Sequence, residues 1–327
     1  MAMHFRSVML AAATSVITCL SPALAQDWPT KNVTLIVPYP AGGPTDQAAR
    51  LLAPKLAEKL GQNFIIENVS GGGTTIAIGR VARSTPDGYT LLLHNLQISA
   101  NVTLYPNTNY NTEKDLTPIA FINRTPLVLV GRNGLSANTL AELTAWMKTT
   151  PAKFAYPGPG STGHLATSLF AQAVGVQVDY IPYRGAAPAM TDIAGGHVDL
   201  FFASPQSAQQ PVLAKQMKLF GVAGETLSDI FPGVPVLSKE LGSQLEIQFW
   251  HLLLAPSGTP KPVIDKISKS LQEVLSDPAV VKSWADQGVS PYPVAQQSPE
   301  GAKALLTSEI QRWGKVIREN NIEVPKQ

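Results

Sequence analysis

Apolar residues along this chain recur in two rhythms. Short β-branched runs of four or five residues alternate with longer stretches in which apolar positions return every third or fourth residue. Val33–Val37 is the first run and predicts a buried strand. It leads through Gly42-Gly43-Pro44 into a predicted helix, Asp46–Leu60, which Gly61 stops. Pro44 suits a first helical turn, where its missing N–H costs nothing, and Thr45 and Asp46 offer capping side chains. Asn63–Glu67 and Tyr89–Leu93 read as strands around a helix at Thr74–Arg83. This βαβαβ order argues a parallel sheet covered by helices.

A second series follows the same logic. Strands are predicted at Leu127–Val130, Phe154–Tyr156, Val178–Pro182, Val198–Phe202 and Leu219–Val222. Helices are predicted at Leu140–Lys148, Leu165–Val174 and Pro188–Ala194. The tail reads as three helices, Lys261–Leu275, Pro278–Gln287 and Pro299–Asn320, the first with Val263, Ile267 and Leu271 on one face. Trp284 and Trp313 fall in these helices and are read as packing residues.

The segment before the first strand changes the picture. Arg6, the apolar run Ser7–Leu20 and Ala23-Leu-Ala25 form a secretory signal with a cut before Gln26. That run is too short to span a bilayer. Removing 25 residues from 327 leaves 302, without the lone cysteine, Cys19. A disulfide-free exported chain of that size fits a bacterial periplasm. Loss of Arg6 leaves 24 basic against 23 acidic residues, net +1, spread without blocks. That balance argues against a nucleic-acid or membrane-surface partner. His4, His94, His164, His197 and His251 are scattered, so no metal spacing emerges and no cofactor is expected.

The candidate chemistry lies where predicted strands end. Tyr39–Asp46, Asn68–Thr74 and His94–Gln97 close the first series; Pro157–His164, Tyr183–Gly185 and Ala203–Pro205 close the second. Ligands of such sheets bind beyond the carboxyl ends of the strands. Glycine turns that open helices present free N–H groups and a positive dipole end, which suits a carboxylate or phosphate. Gly158, Gly160 and Gly163 formally spell a dinucleotide fingerprint, but Pro159 removes an N–H from the turn. Asp179 also sits at the start of its strand, where the ribose contact requires the end. Ser161 and His164 suggest an exported hydrolase; the nucleophile elbow fails because Pro159 stands at its first glycine. The simpler reading makes Ser161 a helix cap and Thr162 a second donor at another anion site.

These residues resemble the tripartite tricarboxylate transporter receptors, or Bug family of periplasmic solute-binding proteins. The matching stretches are Val37–Asp46, Pro86–Leu92, Gly158–Ala166, Ile181–Gly185 with Pro188-Ala189, Gly195–Asp199 and Ala255–Pro260, in family order. The resemblance implies a two-lobed α/β fold of the type II-like periplasmic-binding-protein kind. Each lobe would be a mainly parallel sheet flanked by helices: 26–124, then 125–250, with 251–327 returning to the first. It implies a monomeric, non-enzymatic receptor that closes on a small carboxylate and presents it to membrane permease subunits. By that likeness Tyr39, Ala41, Gly42, Gly43, Thr45 and Asp46 bind from the first lobe, with Asn95 at a strand end. Gly160, Ser161, Thr162 and His164 bind from the second, with Ser204. Two departures stand out: Asn68-Val-Ser precedes the glycines Gly71–Gly73, and Arg184 replaces the commoner lysine. Arg184 is read as a surface or interlobe ion pair. Tyr39 and Phe201-Phe202 hint at an aromatic ligand, though strand alternation sends at least one phenylalanine into the core.

Overall fold

The computed structural model describes residues 28–224 and 229–324. The signal segment, Cys19 and the cut before Gln26 lie outside the described residues. The first unit runs β1 (Val33–Val37), α1 (Pro44–Leu60), β2 (Phe64–Asn68), α2 (Thr75–Ala82), β3 (Thr90–Asn95) and α3 (Gln97–Leu104). A short α4 (Thr112–Asp115) precedes the long β4 (Leu116–Arg132). The second unit comprises α5 (Leu140–Met147), β5 (Ala152–Tyr156), α6 (Thr162–Val174), β6 (Val178–Pro182) and α7 (Ala186–Ala194). It continues through β7 (Leu200–Ala203), α8 (Pro205–Leu213), β8 (Met217–Ala223) and α9 (Leu237–Leu241). The chain returns through β9 (Gln248–Pro256), α10 (Lys261–Leu275), α11 (Pro278–Ala285), the two-residue β10 (Ser290–Pro291) and α12 (Pro299–Glu319).

The strand order is β2-β1-β3-β9-β4-β7-β5-β6, with β8 and β10 also on β4. Strands β2, β1 and β3 are parallel, as are β6, β5 and β7. The strands that join the two sets, β9 and β4, run antiparallel to their neighbours. Leu116–Pro126 of β4 pairs with β9, and Leu127–Arg132 pairs with β8. The mixed α/β class is as predicted, but the sheet hydrogen bonding is continuous through β4. The sequence reading found only the Leu127–Val130 part of this strand and none of β9. It also missed α3 and α8.

Three buried clusters hold the layers. One packs α1, β1 and α10 through Leu52, Leu56, Val33, Leu35, Ile267 and Leu271. Burying each such side chain is worth about 1.5–3 kcal/mol. A second runs from Phe154, Phe170 and Phe202 to Trp250 and Trp313, bringing α12 onto β9. Trp250 Nε1 and Trp313 Nε1 both donate to Glu309 Oε2, at 3.0 and 3.1 Å. Trp284 is buried in the first cluster, so both tail tryptophans are packing residues, as expected. The third cluster packs α7 and α8 on β7 through Ile193, Ala208 and Phe201.

Candidate functional site

The parallel topology sends the carboxyl ends of β1, β3, β5, β6 and β7 toward one cleft, of about 670 Å³ including its open mouth. Its walls carry the N-termini of four helices: Gly43 to Thr45 from α1, Ser161 to Gly163 from α6, Gly185 to Pro188 from α7, and Ser204 from α8. Leu127, Phe201, Phe202 and Phe249 add apolar surface between them. Among the described residues no acidic side chain lines the cleft.

The start of α1 differs from the sequence reading. The helix begins at Pro44, its N-cap is Gly43, and no side chain caps it. Its first i→i−4 bond is Gln47 N–H to Gly43 O, at 2.9 Å. The N–H groups of Thr45 and Asp46 therefore precede the helical ladder. Neither side chain caps because each has another partner. Asp46, buried, accepts Gly42 N–H at 2.9 Å, Asn68 Nδ2 at 3.0 Å and Arg50 Nε at 2.8 Å. Burial opposes its ionisation, but these bonds, Arg50's above all, outweigh burial and hold its carboxyl below the usual range. Asp46 thus braces the glycine turn from behind, where Gly42 adopts φ +88°, a conformation that suits glycine.

Thr45 Oγ1 lies 3.2 Å from Asn95 Nδ2 and 3.1 Å from His251 Nε2. His251 Nδ1 lies 2.7 Å from Asn123 Oδ1. Tyr39 Oη sits 2.8 Å from Asn95 Oδ1 and 3.0 Å from Gln97 Oε1. Gln97 crosses the cleft: its Nε2 donates to Pro159 O at 3.0 Å and to Gly73 O at 3.2 Å. Burial pushes His94 and His251 down to about 3, so both are neutral.

On the opposite wall, Ser161 caps α6, its Oγ accepting His164 N–H at 3.3 Å. That leaves its hydroxyl proton free to donate. The neighbouring Thr162 Oγ1 is buried without a hydrogen-bond partner, in a residue only 4% exposed. A buried hydroxyl in that condition costs about 1–3 kcal/mol until a partner arrives. His164 Nδ1 accepts Gly160 N–H at 3.2 Å, and the ring stacks on Tyr156 at 5.0 Å between centroids. Burial lowers its pKa to about 4. Its ring fastens the loop at Gly160, whose φ is +77° and where a side chain would meet Leu104 Cδ1 at 3.1 Å.

Residues 48–322 match the protein family described as the tripartite tricarboxylate transporter family receptor. The chain belongs to this family. It is similar to Protein BugT of Bordetella pertussis, with 33% identity over 93% of this chain and 94% of that one. Its structure is similar to that of R. palustris Rpa4515 with adipate, at TM-score 0.86 and 31% identity, over 91% of this chain and all of the other. It also resembles MatC from Rhodopseudomonas palustris with bound malate, at TM-score 0.83 and 31% identity, over 89% of this chain and all of the other.

Seen as a receptor of this family, the chain brings Tyr39, Ala41, Gly43, Thr45, Asn95, Ser161, Thr162 and Ser204 together as cleft lining. Gly42, Asp46, Gly160 and His164 are not in the lining; they hold the two glycine turns from behind. Among the described residues Ser161 Oγ makes no hydrogen bond to the His164 ring; it accepts the His164 backbone N–H, while His164 Nδ1 accepts Gly160 N–H. Asp179 lies near the beginning of β6, so the dinucleotide pattern lacks its acid where ribose would stand. Both Phe201 and Phe202 are buried core residues that also touch the cleft. Arg184, read from sequence as an ion-pair residue, lines the cleft and has no ion pair among the described residues. Gln97, within the His94–Gln97 strand end noted from the sequence but not chosen there as a binding residue, lines the cleft too. No helix among the described residues is long and apolar enough to cross a membrane, and no described group of His, Asp and Glu is arranged for a metal ion.

Proposed function

We propose that the mature receptor, released by a cut before Gln26, works in the periplasm as a monomer. It encloses one small organic acid between its lobes and hands it to the membrane permease subunits of a tripartite tricarboxylate transporter. The observation that carries this reading is the buried, unpartnered hydroxyl of Thr162 at a cleft lined by helix N-termini. A carboxylate oxygen accepts that proton, the proton of Ser161 and the first N–H groups of α1 and α6. The eight lining residues Tyr39, Ala41, Gly43, Thr45, Asn95, Ser161, Thr162 and Ser204 contact the acid. Gly42, Asp46, Gly160 and His164 act through the turns they fix. The malate and adipate held by the two R. palustris proteins support the carboxylate class. Leu127 and the phenylalanines receive the carbon skeleton.

The test is a thermal-shift screen of residues 26–327 against aliphatic and aromatic mono- and dicarboxylic acids, with NAD and simple esters included. A ligand that binds only the folded state raises the melting temperature with its saturation. A shift confined to a few related acids supports the receptor reading. A response to NAD, or ester turnover abolished by Ser161→Ala, overturns it.

A further inference from the structure

Arg184 is the only charged side chain among the described residues lining the cleft. It enters the wall because Tyr183 N–H donates to Tyr156 O at 2.9 Å, tying the ends of β5 and β6 together. Arg184 therefore leaves the sheet beside the loop that opens α6. The next residue, Gly185, is the N-cap of α7, and a side chain there would meet the Pro40 ring of the facing loop at 3.5 Å. Arg184 thus stands where the second lobe approaches the β1–α1 turn.

The guanidinium has no acid to neutralise it among the described residues. Asp192, on the adjoining helix, accepts the Tyr183 hydroxyl at 2.6 Å. Asp179 sits at the far end of β6. Asp46 is committed to Arg50. An arginine offers a rigid fork that pairs with a carboxylate through two parallel N–H bonds. A monocarboxylate seated on α1 and α6 leaves that fork to water. A dicarboxylate does not.

We propose that Arg184 reads the second charge of a dianionic ligand, making this receptor select dicarboxylates over monocarboxylates of the same carbon skeleton. The second carboxylate lies between the Arg184 fork and the N–H groups that begin α7, while the first keeps the α1 and α6 termini. This inference rests on the cleft being the carboxylate site.

The test is titration calorimetry with straight-chain α,ω-dicarboxylates of four to eight carbons and the matching monocarboxylates, for wild type, Arg184→Gln and Arg184→Lys. Wild type should prefer a dicarboxylate to its matched monocarboxylate by at least about tenfold. Arg184→Gln should lose most of that preference, weakening the dicarboxylate about ten- to a hundredfold and the monocarboxylate less than about threefold. Arg184→Lys, keeping charge without the fork, should fall between. An unchanged melting temperature in the variants confirms that the fold is intact. Equal weakening of both series would assign Arg184 to general attraction of anions and overturn the inference while the receptor reading stands. A wild type that ranks both series alike overturns it in the same way. Binding of neither series by wild type overturns both.

Discussion

Thr45 Oγ1 and His251 Nε2, 206 positions apart in sequence, lie 3.1 Å from one another. With Asn123 Oδ1 facing His251 Nδ1, the ring carries its proton on Nδ1 and its Nε2 accepts the threonine proton. The Thr45 oxygen then accepts Asn95 Nδ2. The single Thr45 hydroxyl proton is thereby used, which leaves none on its side chain for a ligand. In the proposed site Thr45 would therefore serve the acid through its backbone N–H alone.

Thr45→Val should therefore destabilise the protein by about 1–3 kcal/mol, because it strands two buried polar groups, on His251 and Asn95. Thr45→Ser keeps the row and should leave ligand affinity within about twofold. Urea unfolding and calorimetry on the pair measure both. A Thr45→Ser variant that loses affinity would restore the side chain as a ligand contact.

Thr162→Val is expected to do the opposite. Removing an unpartnered buried hydroxyl while keeping its shape should raise the stability of the empty protein by about 1 kcal/mol. Affinity for the acid should fall by about 1–3 kcal/mol. A melting temperature that rises while binding weakens is the signature of a hydroxyl held ready for a ligand. Lower stability with unchanged affinity would make it a structural group.

The two neighbouring glycines should separate folding from binding. Gly43 has an ordinary φ of −79°, and a side chain there would meet only Pro40 O, at 3.8 Å. Gly43→Val should fold with a nearly unchanged melting temperature yet lose about 2 kcal/mol or more of binding, as its methyl groups fill the anion turn. Gly42, at φ +88°, should respond to valine with lost stability of about 1–2 kcal/mol. Calorimetry and thermal melts on both variants check this. Full affinity in Gly43→Val would move the site elsewhere.

Acid should unfold the protein through its buried histidines. Unfolded histidine titrates near 6.5, whereas burial holds His94 and His251 to about 3 and His164 to about 4. Above pH 6.5 all three are neutral in both states and stability does not depend on them. As pH falls from 6.5 toward 4, the unfolded chain binds protons that the folded one refuses. Stability should drop by roughly 1.4 kcal/mol per pH unit for each histidine. Unfolding free energies that stay level between pH 7 and 5 would contradict this.

What the sequence made legible was local. Glycine and proline at helix starts, β-branched runs in strands and the spacing in Lys261–Leu275 each report on their own few residues, and the elements they mark are present. β4 was mostly invisible because Asn123, Arg124 and Thr125 interrupt its apolar pattern. Two of those polar groups find partners far along the chain, Asn123 at His251 and Thr125 Oγ1 at Gly288 O, 2.7 Å away. The site divides the same way. That Pro40–Asp46 and Pro157–His164 face one cleft follows from strand order, which glycine patterns announce. That Asp46 and His164 brace those turns depends on Asn68, Arg50 and Gly160 being in reach, which only the folded chain decides. Arg184 was marked by its place at a strand end, but its lack of an acid partner among the described residues depends on where the folded chain puts the carboxylates.

The two lobes are joined by β4 and β9, which cross between them as paired strands rather than as loose loops. A hydrogen-bonded ribbon bends and twists but does not swivel freely, so parting the lobes loads a spring. The ladder is interrupted at register shifts between Pro118 and Ala120 and between Phe121 and Arg124. Any parting of the lobes would have to bend this ribbon, at a cost that closing would return.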